Sequence, residues 1–167
     1  LKVLDIGTGS GAIAVSLKKS RPMWQVTASD LSADALVLAK DNAKLNRVDI
    51  SFVLADVFEN VSGCFDIIVS NPPYISENDK DEVGLNVLTS EPKMALFADE
   101  DGLAIYRQIL EDADKYLNPQ GKLYFEIGYK QGEDLRKLLS LHFPDKHVRV
   151  LKDQFGQDRM VVMDDGK

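Results

Sequence analysis

The sequence predicts an α/β fold in which a mostly parallel sheet carries ligand-type residues at its strand ends. Three observations predict it. Short apolar runs rich in Val, Ile and Leu alternate with segments of helical periodicity, as buried parallel strands and their covering helices do. A glycine run, Gly7-Thr8-Gly9-Ser10-Gly11, joins the first of these strands to the first helix. A later apolar run ends in Asn71-Pro72-Pro73-Tyr74, a rigid turn at the carboxyl edge of a sheet, where open α/β folds hold their ligands.

Each element follows in order. Lys2 to Ile6 has the pattern of a buried strand, and Ala12 to Lys19 that of a helix with Ile13, Val15 and Leu17 among its apolar positions. Trp24 to Ser29 reads as a second strand ended by Asp30. Ser32 is the N-cap of a helix that runs to Leu45 and stops at Asn46. Ile50 to Ala55 is a third strand ending in Asp56, and Phe65 to Ser70 a fourth. From Tyr74 to Asp101 the periodicity is poor, and Gly84, Pro92 and several acids interrupt it. A connection of that length in a compact domain is expected to be functional, here a substrate-binding flap. Gly102 to Leu117 is helical and ends before Asn118-Pro119-Gln120-Gly121. Lys122 to Ile127 is a fifth strand, followed by a helix from Gln131 to Leu141. The runs 147–151 and 159–163 are two final strands, joined by a connection of hairpin length.

Strand, glycine turn and helix in succession form the usual phosphate- and nucleotide-binding layout. Gly7, Gly9 and Ala12 also satisfy the dinucleotide pattern, so the glycines by themselves leave a nicotinamide-dependent oxidoreductase open. Asp30 can accept hydrogen bonds from both ribose hydroxyls of an adenosine, and Asp56 from an adenine amino group; a lone aspartate there can equally be a cap or turn residue. The prolines of the fourth strand end remove N–H donors. Its carbonyls and the Asn71 side-chain oxygen are therefore free to accept the two hydrogens of a planar NH2 group, with the Tyr74 ring stacked on that plane. An adenosine cofactor beside an NH2-positioning turn points to S-adenosylmethionine and N-methylation.

These segments carry a resemblance. Val3-Leu4-Asp5-Ile6-Gly7-Thr8-Gly9-Ser10-Gly11-Ala12-Ile13-Ala14 and Ile68-Val69-Ser70-Asn71-Pro72-Pro73-Tyr74-Ile75 resemble the catalytic domain of the HemK-type glutamine methyltransferases, which methylate peptide chain release factors. Glu91-Pro92, Ala95-Leu96, Asp101-Gly102-Leu103 and Glu126-Ile127-Gly128 with Gln131 continue the likeness in order. The resemblance implies a class I, Rossmann-like fold: a seven-stranded, mostly parallel sheet with a C-terminal antiparallel hairpin. It implies S-adenosylmethionine bound by Asp5, Gly7, Thr8, Gly9, Ser10, Gly11, Asp30 and Asn71, with Asp56 and Val57 against the adenine. Asn71, Pro72, Pro73 and Tyr74 would hold a glutamine amide of the partner release factor. Some members carry an aromatic residue where this chain has Val57. Residues 1–167 are expected to form one catalytic domain, without the family's N-terminal helical domain. The alternative, NH2-methylation of nucleic-acid bases, shares the Asn71 to Tyr74 element.

Composition narrows the choice. The formal net charge is −7 and basic clusters are short, whereas nucleic-acid binding draws on lysine and arginine at phosphates. The chain is 44% hydrophobic and 28% charged, ordinary for a globular protein. Cys64 is the one cysteine, so no intrachain disulfide forms, and a cytoplasmic location is expected. His142 and His147 have no metal-ligand spacing, and no metal site is expected.

Overall fold

The computed structural model describes residues 1–72 and 103–166. The expected flap, Pro73 and Tyr74, and the Glu91-Pro92, Ala95-Leu96 and Asp101-Gly102 segments lie outside the described residues.

Among the described residues the strands are β1 (Lys2–Ile6), β2 (Gln25–Asp30), β3 (Ser51–Leu54), β4 (Phe65–Ser70), β5 (Leu117–Glu126), β6 (His147–Lys152) and β7 (Asp158–Asp164). The helices are α1 (Ala12–Ser20), α2 (Ala33–Leu45), α3 (Ala104–Tyr116) and α4 (Gly132–His142). They form one sheet in the order β3-β2-β1-β4-β5-β7-β6. β1 to β5 pair in parallel, while β7 is antiparallel to both β5 and β6. The expected mostly parallel sheet with a terminal hairpin is the one observed.

Two apolar clusters flank the sheet. Val3, Val26, Ala28, Ala14, Val15 and Ala43 pack α1 and α2 on one face. The opposite face is larger: Leu4, Ile68, Leu123, Phe125, Val161 and Met163 meet Tyr106, Ile109 and Leu110 of α3 and Leu135 and Leu139 of α4. Alternation along β5 reflects this, with Leu123 and Phe125 buried and Lys122, Tyr124 and Glu126 half-buried on the other side.

α2 begins as the sequence implies, with the Ser32 Oγ accepting from the Ala35 N–H at 3.2 Å. One boundary differs. Asn118-Pro119-Gln120-Gly121, expected as a turn ahead of a strand from Lys122, lies within β5 as an irregularity. Phe65 pairs with Leu117 and Ile67 with Lys122, so β5 bulges out the residues between. A proline and a glycine are tolerated in a strand where the ladder is already broken.

Candidate active site

The ends of β1, β2, β3 and β4 all lie on the carboxyl edge of the parallel strands, and β1 sits centrally between β2 and β4. The glycine turn therefore stands between Asp30 on one side and Asn71 on the other. Hydrogen bonds fix that arrangement. The Thr8 N–H donates to the Ser29 carbonyl at 2.9 Å and the Gly11 N–H to the Thr8 carbonyl at 2.9 Å. The Gly9 N–H donates to Asp30 Oδ2 at 2.8 Å, while Asp30 Oδ1 accepts from the Ser32 N–H at 2.9 Å.

Gly9 and Gly11 serve different ends. Both have positive φ, +57° and +83°. A Cβ on Gly9 would meet nothing within 4 Å, so that residue leaves open space at the sheet edge. A Cβ on Gly11 would meet Ala39 Cβ at 3.0 Å, so α2 packs directly on the start of α1. Asn42 of α2 completes the cradle by donating from Nδ2 to the exposed Ser10's carbonyl at 2.8 Å.

Asp5 is 1% exposed. Its Oδ2 accepts from Thr8 Oγ1 at 2.7 Å, and its Oδ1 has no hydrogen-bond partner among the described residues. Burial pushes the carboxyl up to about 7, against the Thr8 hydrogen bond, and the negative charge of Asp30 raises it further. The Ala14 amide favours the ionised form without closing a hydrogen bond on Oδ1. A buried acceptor without a partner, under an open glycine turn, suits the cationic part of a ligand. The open space at Gly9 and the second lone pair left on each Asp30 oxygen, each of which already accepts one backbone amide, suit a ribose, so the residues present fit an adenosine-type cofactor.

After β3, Asp56 is exposed and accepts a long hydrogen bond from Gln108 Nε2 at 3.5 Å. Val57 has a φ of 59°, a left-handed conformation that a β-branched residue rarely adopts. Its side chain is 8% exposed and belongs to the larger core, so it offers the site chiefly its peptide group. Asn71, directly after β4, is exposed and among the described residues its side chain makes no hydrogen bond, while Pro72 is buried. No group of three or more His, Cys, Asp and Glu among the described residues could hold a metal, and no described helix is long and apolar enough to cross a membrane.

The sequence reading left out Ser70 and Asn42. Ser70 is fully buried and its Oγ donates to the Ile6 carbonyl at 2.7 Å, tying the end of β4 to the end of β1. The available signal was a serine closing an otherwise apolar strand directly before Asn71. For Asn42 the signal was an amide beside Ala39 and Ala43 on a helix face otherwise given to packing.

Comparison with known proteins accords with this geometry. A family model described as "Methyltransferase small domain" matches residues 1–99. The release factor glutamine methyltransferase of Streptococcus pneumoniae is 63% identical over 167 residues, 100% of this chain and 60% of that protein. The protein of the same name from Lactococcus lactis is 49% identical over 161 residues, 96% of this chain and 60% of its own length. The chain thus spans about three fifths of the relatives it matches. A methyltransferase from Pyrococcus furiosus superposes with a TM-score of 0.69 at 22% identity, over 98–99% of this chain as does TrmN from Thermus thermophilus, which gives 0.66 at 26%. These solved chains are covered to 75% and 43% respectively. The glycine turn, the strand order and the match over more than half of its length agree: the chain belongs to the methyltransferase small domain family.

Proposed function

We propose that this chain transfers a methyl group from S-adenosylmethionine to the side-chain amide nitrogen of a glutamine in a peptide chain release factor. The observation that carries the proposal is the juxtaposition on one sheet edge of an adenosine-type cradle and an unpartnered Asn71 followed by Pro72. Relatives named for this activity, similar over the whole chain, support the choice of substrate.

The bound cofactor supplies an electrophilic methyl group on a sulfonium. Gly7, Thr8, Gly9, Ser10 and Gly11 would approach it closely, Asp30 would accept from its ribose, and Asp5 would face its positive charge. The Asp56 side chain and the Val57 peptide group would meet the adenine. A glutamine amide nitrogen is a poor nucleophile because its lone pair is delocalised into the carbonyl. Asn71 Oδ1 and the Pro72 carbonyl accept its two hydrogens, which orients the nitrogen and raises its electron density as attack proceeds. The proton that leaves the nitrogen passes to solvent. No dedicated base is required, because the N-methylated amide cation formed by the transfer is strongly acidic and loses its proton readily.

Mass spectrometry of a release factor incubated with the protein and cofactor tests this. One added methyl on a glutamine is expected. Asn71→Ala should lower the transfer rate roughly a hundred- to a thousandfold, the scale of a lost positioned hydrogen-bonding group, with little change in cofactor affinity. A methyl placed on a nucleic-acid base and none on the release factor would instead support the second reading, which the net charge of −7 disfavours.

A further inference from the structure

Glu126 ends β5 beside the amide-holding turn, and its carboxylate has no role so far. The strand register places it. Asp5 pairs with Val69, Val69 with Tyr124 and Tyr124 with Val162 across four neighbouring strands. Two residues further along come Glu126 and its partner Met160 in β5 and β7, and Gly7 and Asn71, each one residue past the end of β1 and β4. Ser70 and Phe125 are the last pair of β4 and β5, and adjacent strands are about 4.8 Å apart, so Asn71 and Glu126, each the next residue of its chain, leave neighbouring backbone positions at the sheet edge.

Glu126 is half-buried, and among the described residues its carboxylate makes no hydrogen bond or ion pair. Its backbone is held firmly. The Tyr106 Oη, on a fully buried ring, donates to the Glu126 carbonyl at 2.8 Å. The Ile127 N–H donates to the Arg159 carbonyl at 2.8 Å, and the Gly128 N–H to Gln131 Oε1 at 3.0 Å. The strand end is fixed while the carboxylate it carries lacks a donor.

Asn71 presents the complementary need. An asparagine amide can turn either its oxygen or its NH2 outward, and only the oxygen outward accepts from a substrate NH2. An ionised carboxylate accepts and never donates, so a carboxylate neighbour selects one of the two orientations. We propose that Glu126 is a positioning residue, accepting a hydrogen bond from Asn71 Nδ2 and thereby turning Oδ1 toward the substrate amide. It rests on the amide-holding role of Asn71 proposed above. Glu126 acts through Asn71 and touches neither the methyl donor nor the nitrogen that receives it.

The test crosses the two positions and is read by single-turnover transfer to a release factor under saturating cofactor. E126A is expected to lower the rate about ten- to a hundredfold, the range of a hydrogen bond to a charged group, with unchanged cofactor affinity by calorimetry. N71D sets two carboxylates side by side. Adding E126Q to it supplies a donor that the introduced carboxylate can accept from, so the double variant should be at least about tenfold faster than N71D alone. If Glu126 is only a piece of the strand end, the losses accumulate and the double variant is no faster; that result overturns the proposal, as does a wild-type rate for E126A. A second readout needs neither cofactor nor substrate. In N71D, carboxyl-carbon NMR should show the introduced group titrating higher beside Glu126 than in N71D/E126Q, and equal titration overturns the pairing. A titration difference in a protein that transfers no methyl would sink the function proposed above and support the pairing.

Discussion

Asp30 holds two backbone amides at once, those of Gly9 and Ser32, so it shapes the turn in addition to the ribose role proposed for it. Asp30→Ala is therefore expected to weaken cofactor binding by more than the roughly 1.5–3 kcal/mol of lost hydrogen bonds to a charged group. Asp30→Asn keeps one acceptor for the turn and should fall between the two. Calorimetry distinguishes them, and equal affinities for wild type and a folded Asp30→Ala would remove the ribose role. Asp5 makes a different prediction. Its carboxyl sits at about 7 in the folded chain against an ordinary 3.8, so the folded state holds that proton more tightly than the unfolded one. Its contribution to stability is full below about pH 4, declines as pH rises, and is lost above about pH 7. At pH 8 an Asp5→Asn variant should be more stable than wild type by up to about 4 kcal/mol, and near pH 4 the difference should vanish. Urea denaturation at the two pH values measures it; a difference that does not grow with pH would mean that Asp5 ionises freely.

The glycine turn is the element on which packing and binding can be separated. Gly9→Ala meets no neighbour, so it carries only the cost of a left-handed conformation, about 1–2 kcal/mol. It should fold yet lose cofactor affinity, because the new methyl enters the open space. Gly11→Ala adds the same backbone cost to a contact with Ala39 at 3.0 Å and is expected to destabilise more. Thermal denaturation ranks the two; the reverse order would mean that α2 yields easily at Ala39. Elements of this kind were legible because glycine, aspartate and asparagine stand at the ends of apolar runs, where the period of two breaks. β1 and β4 have the bounds their apolar runs imply, and α2 starts one residue after its cap. What escaped was long-range. Asn118 to Gly121 has turn composition, and only pairing with β4 shows that β5 passes through it as a bulge. Likewise Val57 lies in the larger core beside Phe58, which stacks on Tyr116 of α3 at 4.2 Å, a contact that no local pattern announces.

Across the whole molecule, the two apolar clusters cover opposite faces of the sheet, while along its carboxyl edge the ends of β1, β2 and β3 form the half proposed for the cofactor and those of β4 and β5 the half proposed for the substrate. β3 forms the outer edge of the first half and none of its residues is buried. Both edge strands, β3 and β6, lack buried residues, so a ligand spanning the ends of β1, β2 and β3 should stabilise the β3 edge and leave the β6 edge unchanged. Cofactor at a hundred times its dissociation constant should add about 2.7 kcal/mol. Hydrogen exchange should slow chiefly around residues 7–11, 30–32 and 55–57. Uniform slowing, or slowing confined to β5 and β7, would contradict this division.

The bond from Ser70 to the Ile6 carbonyl has a further consequence. It joins the two strands that end in the glycine turn and in Asn71, so the separation between the proposed donor and acceptor sites is a sheet constant. Loop substitutions can retune what each side recognises without altering that spacing. A lineage could exchange one methyl acceptor for another by changing the far half alone, because the gauge that aligns the two sides is written into the pairing of β1 with β4 and the Ser70 hydroxyl that ties their ends.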